Sequence, residues 1–341
     1  MALSLAAVLY TLAYLPYVIL TRWVSTQAST ELGEPLSGLN ILPSLLIISA
    51  LLTYCFMYAA GWGRTAHRIS FSGFSIPSPT PWTFISGVCA SLILVTVPLS
   101  FTFRNVSIPF MQLLMRGDIL IIAPLVDVIF GRRVRWWSWV ALGLVGCAML
   151  LAISGRGGVS LPMLAIVAIV LYTVGYFGRL FAMTKISKLG DRSNVKKYFT
   201  EETIVSFPAS ILILGIIAGF SSSPQSRDLH WGFAQAWTSH EMLVIALCAF
   251  SVFLTGIFSA MILLDRRENA FCVALERSAS IIAGVLGSVL LALFFGGRMP
   301  SGGELWGGGL LILAIVVLSV GPQVSRLHAG KIVLVPESRR R

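Results

Sequence analysis

Ten apolar runs, each near the length of a helix that crosses a bilayer, follow one another along these 341 residues. Hydrocarbon offers no water to backbone N–H and C=O groups. A spanning segment must therefore satisfy them internally, as a helix or a closed barrel. A helix needs roughly 20 apolar residues to cross. The runs fall at 3–21, 41–61, 82–101, 107–130, 137–154, 161–185, 199–220, 241–264, 270–295 and 304–321. Turn-rich breaks separate them: S-I-P-S-P-T-P at 75–81, S-G-R-G-G at 154–158, S-S-S-P at 221–224 and G-G-R-M-P-S-G-G at 296–303. Only 11% of residues are charged, against about a quarter in soluble domains, and mean hydropathy is +0.86. The pattern predicts an all-α polytopic membrane protein with ten transmembrane helices and no separate soluble domain. The first run has no basic residues before it and is too long for a signal-peptide core, so it reads as the first span.

Lys and Arg divide unevenly between the two sides. One set of segments holds Arg64, Arg68, Arg132, Arg133, Arg135, Lys185, Lys188, Arg192, Lys196, Lys197, Arg266 and Arg267. A C-terminal tail on the same side adds Arg326, Lys331 and Arg339 to Arg341. The other side has Arg22, Arg104, Arg156, Arg227 and Arg298. The basic side is the inner one, so both termini are expected in the cytoplasm. Arg22, just beyond the first span on the outer side, is the local exception. The tryptophans, from Trp23 to Trp306, sit at or near expected span ends, where amphipathic rings prefer to lie. The net charge of +11 is mostly this inner-face bias and implies anionic lipid rather than nucleic acid. All five cysteines lie inside spans with no C-x-x-C, which indicates neither disulfides nor a metal site. No cofactor is implied.

The chain also repeats itself. A-A-V-L-Y-T-L-A-Y (6–14) returns as A-I-V-L-Y-T-V-G-Y (168–176), and Ser25 returns as Ser187. A nearly equal offset aligns Phe110 with Phe271 and Arg116 with Arg277. G-R-R (131–133) then falls near G-G-R (296–298), and Gly143 on Gly308. The expected organisation is a first five-helix repeat at 1–160, a second at 161–325 and a basic cytoplasmic tail at 326–341. Five is odd, so the second repeat enters the membrane upside down. Inverted repeats typify secondary transporters, with the substrate site near the midplane between them.

Ten helices in a five-plus-five inverted repeat resemble the drug/metabolite transporter superfamily. So does S-I-P-F-M-Q-L-L-M-R…P-L-V-D-V-I-F-G-R-R-V-R-W-W-S-W-V-A-L-G-L-V-G-C-A-M-L (107–150), with its fourth-span Pro124 and fifth-span glycines. The resemblance covers nearly the whole chain. A narrower likeness is to the nucleotide-sugar and sugar-phosphate translocator branch, which carries a basic pair in the ninth span. Here A-L-E-R-S-A-S-I-I-A-G (274–284) matches one base as Arg277 but has Glu276 for the other. That departure argues against a doubly anionic phosphate. What the resemblance implies is a small-molecule carrier in a membrane. The compact loops and the lack of a targeting peptide make a bacterial inner membrane the expected location, with a monomer or homodimer as the expected state.

Charges inside spans are expensive and mark functional positions. Arg116 and Arg277 occupy equivalent places in the two repeats, each with an acid close by, Asp118 and Glu276. Helix neighbours one or two apart do not face each other, so these acids are expected to find partners on other helices. Either the two arginines flank a cavity and meet an anionic substrate group, or they pair across the repeats, Arg116 with Glu276 and Arg277 with Asp118. Gln112 lies one turn from Arg116, on the same face. Tyr10, Tyr14, Tyr172 and Tyr176 recur at i, i+4 and either stack on a ring or pack. Arg179, six residues from the inner end of its span, is short enough of the surface to snorkel, and Asp127 is similarly placed. Glu201 and Glu202 open the seventh span, where acids match a helix N-terminus.

The equipment of an intramembrane enzyme is missing. The four histidines lie in loops, and there is no H-E-x-x-H or G-x-S-x-G. The expected function is a secondary transporter that moves a small polar metabolite, anionic or zwitterionic, by alternating access. The alternative is a proton-coupled exporter of amphipathic or amino-acid-like compounds, with Asp118 or Glu276 carrying the proton.

Overall fold

The structure, a computed structural model, describes residues 3–29, 32–71, 74–103, 106, 108–116, 119–131, 133–154, 161–188, 193–220, 223–267, 269–296 and 299–333. It is built almost wholly of helices: α1 (Leu3–Val24), α2 (Gly38–Ala59), α3 (Pro81–Ser100), α4 (Ile108–Arg116), α5 (Ile119–Ile129), α6 (Trp136–Ser154), α7 (Met163–Met183), α8 (Ser193–Phe220), α9 (Pro224–Ala234), α10 (Met242–Leu263), α11 (Asn269–Phe295) and α12 (Gly302–Val333). Among the described residues one hairpin, β1 (Arg68–Phe71) with β2 (Phe74–Pro77), follows α2.

Seven of these helices are long and apolar enough to cross a membrane: α1, α2, α3, α7, α8, α10 and α11. The protein is a helical, multi-pass integral membrane protein on that ground. The other three expected spans are also helical. The fourth is described on either side of residues 117 and 118, as α4 and α5. The fifth and tenth lie within α6 and α12.

The exposed faces are apolar, as lipid requires. Val8 and Leu12 of α1, Val170 and Val174 of α7, Leu243 and Leu247 of α10, and Ile312 and Val316 of α12 point outward. Ser, Thr and the few buried charges point inward. The most enclosed helix is α11, buried at nearly every position from Asn269 to Val285. It packs against α1, α4, α5, α6, α10 and α12. Its small residues allow this, because membrane helices associate by close backbone approach. Gly287 faces Val18 of α1, and Gly307 of α12 faces the Ala148 carbonyl of α6. Gly309, in contrast, meets open space.

The packing is interwoven. Helix α3 packs on α7 and α8, and α10 packs on α1 and α2. The α3–α7 seam is tight: a Cβ on Gly175 would lie 2.6 Å from the Cys89 carbonyl oxygen. Helices α6 and α12 pack on one another.

Helix ends are fixed by side chains from distant elements. Ser37 and Asn40 form a capping box at the start of α2, and Ser37 Oγ also donates to Asp228 of α9 at 2.7 Å. Asp127 of α5 accepts from the Asn269 and Ala270 amides at 3.0 and 2.8 Å, so it caps α11 rather than snorkelling to the surface. Arg22 donates to the carbonyls of Phe101 and Phe103 at 3.1 and 2.7 Å. This cation closes the carboxyl end of α3. Helices α5 and α11 both run out into a left-handed glycine, Gly131 and Gly296, each at φ 66°. Only glycine takes that conformation without a Cβ penalty.

Asp127→Ala removes the acceptor for two N–H groups in the first turn of the central helix. It is expected to cost about 1–2 kcal/mol, in the range of lost helix caps. A lowered unfolding temperature in detergent would register the loss, and an unchanged one would rule out the cap.

Candidate functional site

An open cavity of about 120 Å³ lies among α1, α3, α7, α10 and α11. It exists because α3 and α10 pack away from one another, on opposite partners. Tyr10, Tyr14 and Tyr17 of α1 line one side, and Ile93, Val97 and Pro98 of α3 another. Tyr176 and Arg179 come from α7, Thr255 and Ser259 from α10, and Glu276 and Arg277 from α11. A second cavity of about 110 Å³ adjoins it. The two share Ile93, Leu94, Arg179, Val252, Gly256 and Ser259, and the second adds Thr53, Phe199, Glu202 and Thr203.

Two arginines face this space and are held in opposite ways. The Arg179 guanidinium grips Glu202 through two bonds of 2.8 Å, Nε to Oε1 and Nη2 to Oε2. Ser86 Oγ and Tyr198 OH also donate to Glu202 Oε1, at 2.7 and 3.0 Å. A fork on a carboxylate is the strong geometry for a buried pair. Arg179 therefore does not snorkel; its charge is compensated where it lies.

Arg277 is held mainly by rings. Its guanidinium carbon sits 4.0 Å from the centroid of Tyr176 and 5.4 Å from that of Tyr172. Those two rings stack on each other at 5.9 Å with 14° between their planes. Cation–π contact holds the charge through the face of the guanidinium and leaves the in-plane N–H groups unused. Nε and Nη2 have no hydrogen-bond partner among the described residues. Nη1 is 3.6 Å from Glu276 Oε2, a loose contact, although the whole residue is only 3% exposed. Glu276 is similarly half-satisfied: Oε1 accepts from Ser259 Oγ at 2.7 Å, while Oε2 accepts no hydrogen bond among the described residues.

The expectation that Glu276 would seek a partner on another helix is met by Ser259 of α10, but its ion pair is with its own neighbour. Because the Arg277 side chain folds back over Tyr176, its Nη1 returns to the carboxylate beside it. Glu201 and Glu202 do not match the N-terminal dipole of their own helix, because α8 begins at Ser193, two turns earlier. Glu201 accepts instead from the His67 and Thr80 amides, at 2.8 and 3.2 Å, and from Thr83 Oγ1 at 2.8 Å. It fastens the start of α3 and the loop before it.

The other sequence candidates divide. Tyr10 and Tyr14 line the cavity and stack on each other at 5.5 Å. Tyr172 lies behind Tyr176. Gln112 is buried in the α4–α11 seam, its amide over Gly284, and is not among the cavity-lining residues. Arg116 ends α4, and its side chain and Asp118 lie outside the described residues. Tyr17 and Ser259 are not indicated by the sequence, and Glu202 is indicated only as an acid at a helix start. A buried carboxylate 23 residues from Arg179 gives no local pattern, whereas Tyr17 continues the Tyr10–Tyr14 stripe at i+3.

No protein-family model matches the sequence, and no curated protein matches it. The fold does have counterparts among solved structures. One, described only as "Crystal structure of protein", superposes with a TM-score of 0.58 at 15% identity, over 93% of this chain and 97% of its own. At that identity the likeness is one of fold alone.

Breaking the Arg179–Glu202 pair from one side leaves an uncompensated buried charge, which typically costs about 3–5 kcal/mol. Arg179→Met and Glu202→Leu are each expected to lower thermal stability in detergent strongly. The double variant should recover much of the loss. A double variant as unstable as the sum of the singles would show that the two residues act independently.

Proposed function

We propose that the protein is a secondary transporter of a small polar metabolite, built from two inverted five-helix repeats and working by alternating access. In this reading α4 and α5 together form the fourth span, and α6 and α12 are the fifth and tenth. The first repeat is α1, α2, α3, α4/α5 and α6; the second is α7, α8, α10, α11 and α12. Exchanging the repeats maps the α1–α10 contact onto α7–α3, and α2–α10 onto α8–α3, while α6–α12 and α4/α5–α11 map onto themselves. The stacked pair Tyr10–Tyr14 maps onto Tyr172–Tyr176, and the left-handed Gly131 onto Gly296. These correspondences support the repeat and the likeness to the drug/metabolite transporter superfamily. Both termini face the cytoplasm, and the membrane is a bacterial inner membrane.

The observation that carries the reading is the half-satisfied Arg277. A buried cation costs several kcal/mol without compensation, and this one keeps two donors idle beside a cavity between the repeats. A substrate anion would complete it. Exchange of the two packings would carry the cavity from one side of the membrane to the other. The proton-coupled alternative has one observation in its favour: Glu276 also stands in the cavity wall with an oxygen to spare.

The test is uptake into proteoliposomes preloaded with mixed amino acids, sugar phosphates and nucleotide sugars, each labelled in turn outside. Wild-type protein should accumulate at least one class. Arg277→Ala should lower that uptake at least about tenfold, the equivalent of 1.4 kcal/mol. No uptake above protein-free vesicles, or uptake untouched by the substitution, contradicts the proposal. Under proton coupling, Glu276→Gln keeps exchange but removes its pH dependence.

A further inference from the structure

The charges of the site go further than its polarity. Among the described residues that line the cavity, Arg179 and Arg277 are the only bases and Glu276 the only acid, with Glu202 lining the adjoining space. Arg179 and Glu202 offset each other's charge through two short bonds. What remains to read a ligand is one cation and one anion, Arg277 and Glu276, 3% and 5% exposed and 3.6 Å apart. Each has unused hydrogen-bonding atoms: Nε and Nη2 on the arginine, Oε2 on the glutamate.

Resting on the transport reading above, we propose that the cavity selects a zwitterion, an α-amino acid with an aromatic or large apolar side chain. Its carboxylate takes the idle Nε and Nη2 as a bidentate fork. Its ammonium takes Glu276 Oε2 and replaces the loose contact with Arg277. Both charges of an α-amino acid hang from one carbon, so a pair only 3.6 Å apart meets both without a long ligand. The side chain lies toward Tyr10, Tyr14 and Tyr17, with Val97 and Pro98 opposite.

Simpler ions fit worse. A monoanion would satisfy Arg277 but bring its charge against Glu276 with nothing to offset it. A dianionic phosphate would double that repulsion, and the other arginine lining the space, Arg179, already has its charge offset by Glu202. A plain amine would meet Glu276 and be repelled by Arg277. Leaving a buried charge unpaired is what a discriminating site uses against the wrong ligand.

The test is ligand-induced thermal stabilisation of the purified full-length protein in detergent. The probes are L-phenylalanine, N-acetyl-L-phenylalanine (anion only), L-phenylalanine methyl ester (cation only) and glucose 6-phosphate. Wild-type protein should bind L-phenylalanine at least about tenfold more tightly than any of the others. Glu276→Gln should weaken L-phenylalanine and narrow its advantage over the N-acetyl form. Arg277→Lys keeps the charge but loses the fork, and should weaken L-phenylalanine and the N-acetyl form together. Wild-type binding of the N-acetyl form, the ester or the sugar phosphate as tightly as L-phenylalanine overturns the assignment, as does no response to L-phenylalanine. That result leaves the uptake panel to decide separately whether the protein transports at all.

Discussion

Everything about this molecule turns on how an arginine is kept inside an apolar bundle. The guanidinium cannot shed its charge, and hydrocarbon will not solvate it, so protein groups must do so. Arg179 and Arg277 face one connected space and receive opposite treatment. Arg179 has a carboxylate fork, and that carboxylate has two further donors of its own. Its charge is fully offset, and the pair serves as a fixed strut between α7 and α8. Arg277 has two ring faces and a loose neighbour. Aromatic faces stabilise the cation without consuming its donors, and that leaves directional capacity for something else.

The packing makes room for this difference. Were α3 and α10 in close contact, the cavity would not exist; each is drawn instead onto helices from the other part of the chain. Tight seams at Gly87 and Gly175 bind α3 to α8 and α7. Asp127 and Glu201 then fasten helix starts from a distance, so that α11 and α3 carry their side chains to fixed heights.

Much of this was written plainly in the sequence, and the rest was hidden for identifiable reasons. Apolar runs located every helix that is long enough to cross, because length and hydrophobicity are local properties. The tyrosine stripe at Tyr10, Tyr14, Tyr172 and Tyr176 and the base at Arg277 were visible from the repeat. Helix α9 was passed over as a polar break, although Ser223 as cap and Pro224 in the first turn announce it. The hairpin at 68–77 escaped notice because its alternation spans only four residues a strand. The Arg179–Glu202 pair and the Asp127 cap were illegible: their partners are 23 and 142 residues apart, and only the fold brings them together. Starting α8 at 199 instead of 193 produced the mistaken dipole role for Glu201 and Glu202.

The most direct measurement of the central claim is sidedness of access to the cavity. With the five native cysteines replaced by alanine, Thr255→Cys places one thiol in the cavity wall, on α10. Membrane-impermeant thiol reagents are then applied to one face or the other of sealed, oriented proteoliposomes. Alternating access to the space around Arg277 predicts labelling from both faces, each slowed when Arg277 is engaged by ligand. Labelling from one face alone, under every condition tried, would mean that the cavity is a fixed pocket and that the protein binds without transporting.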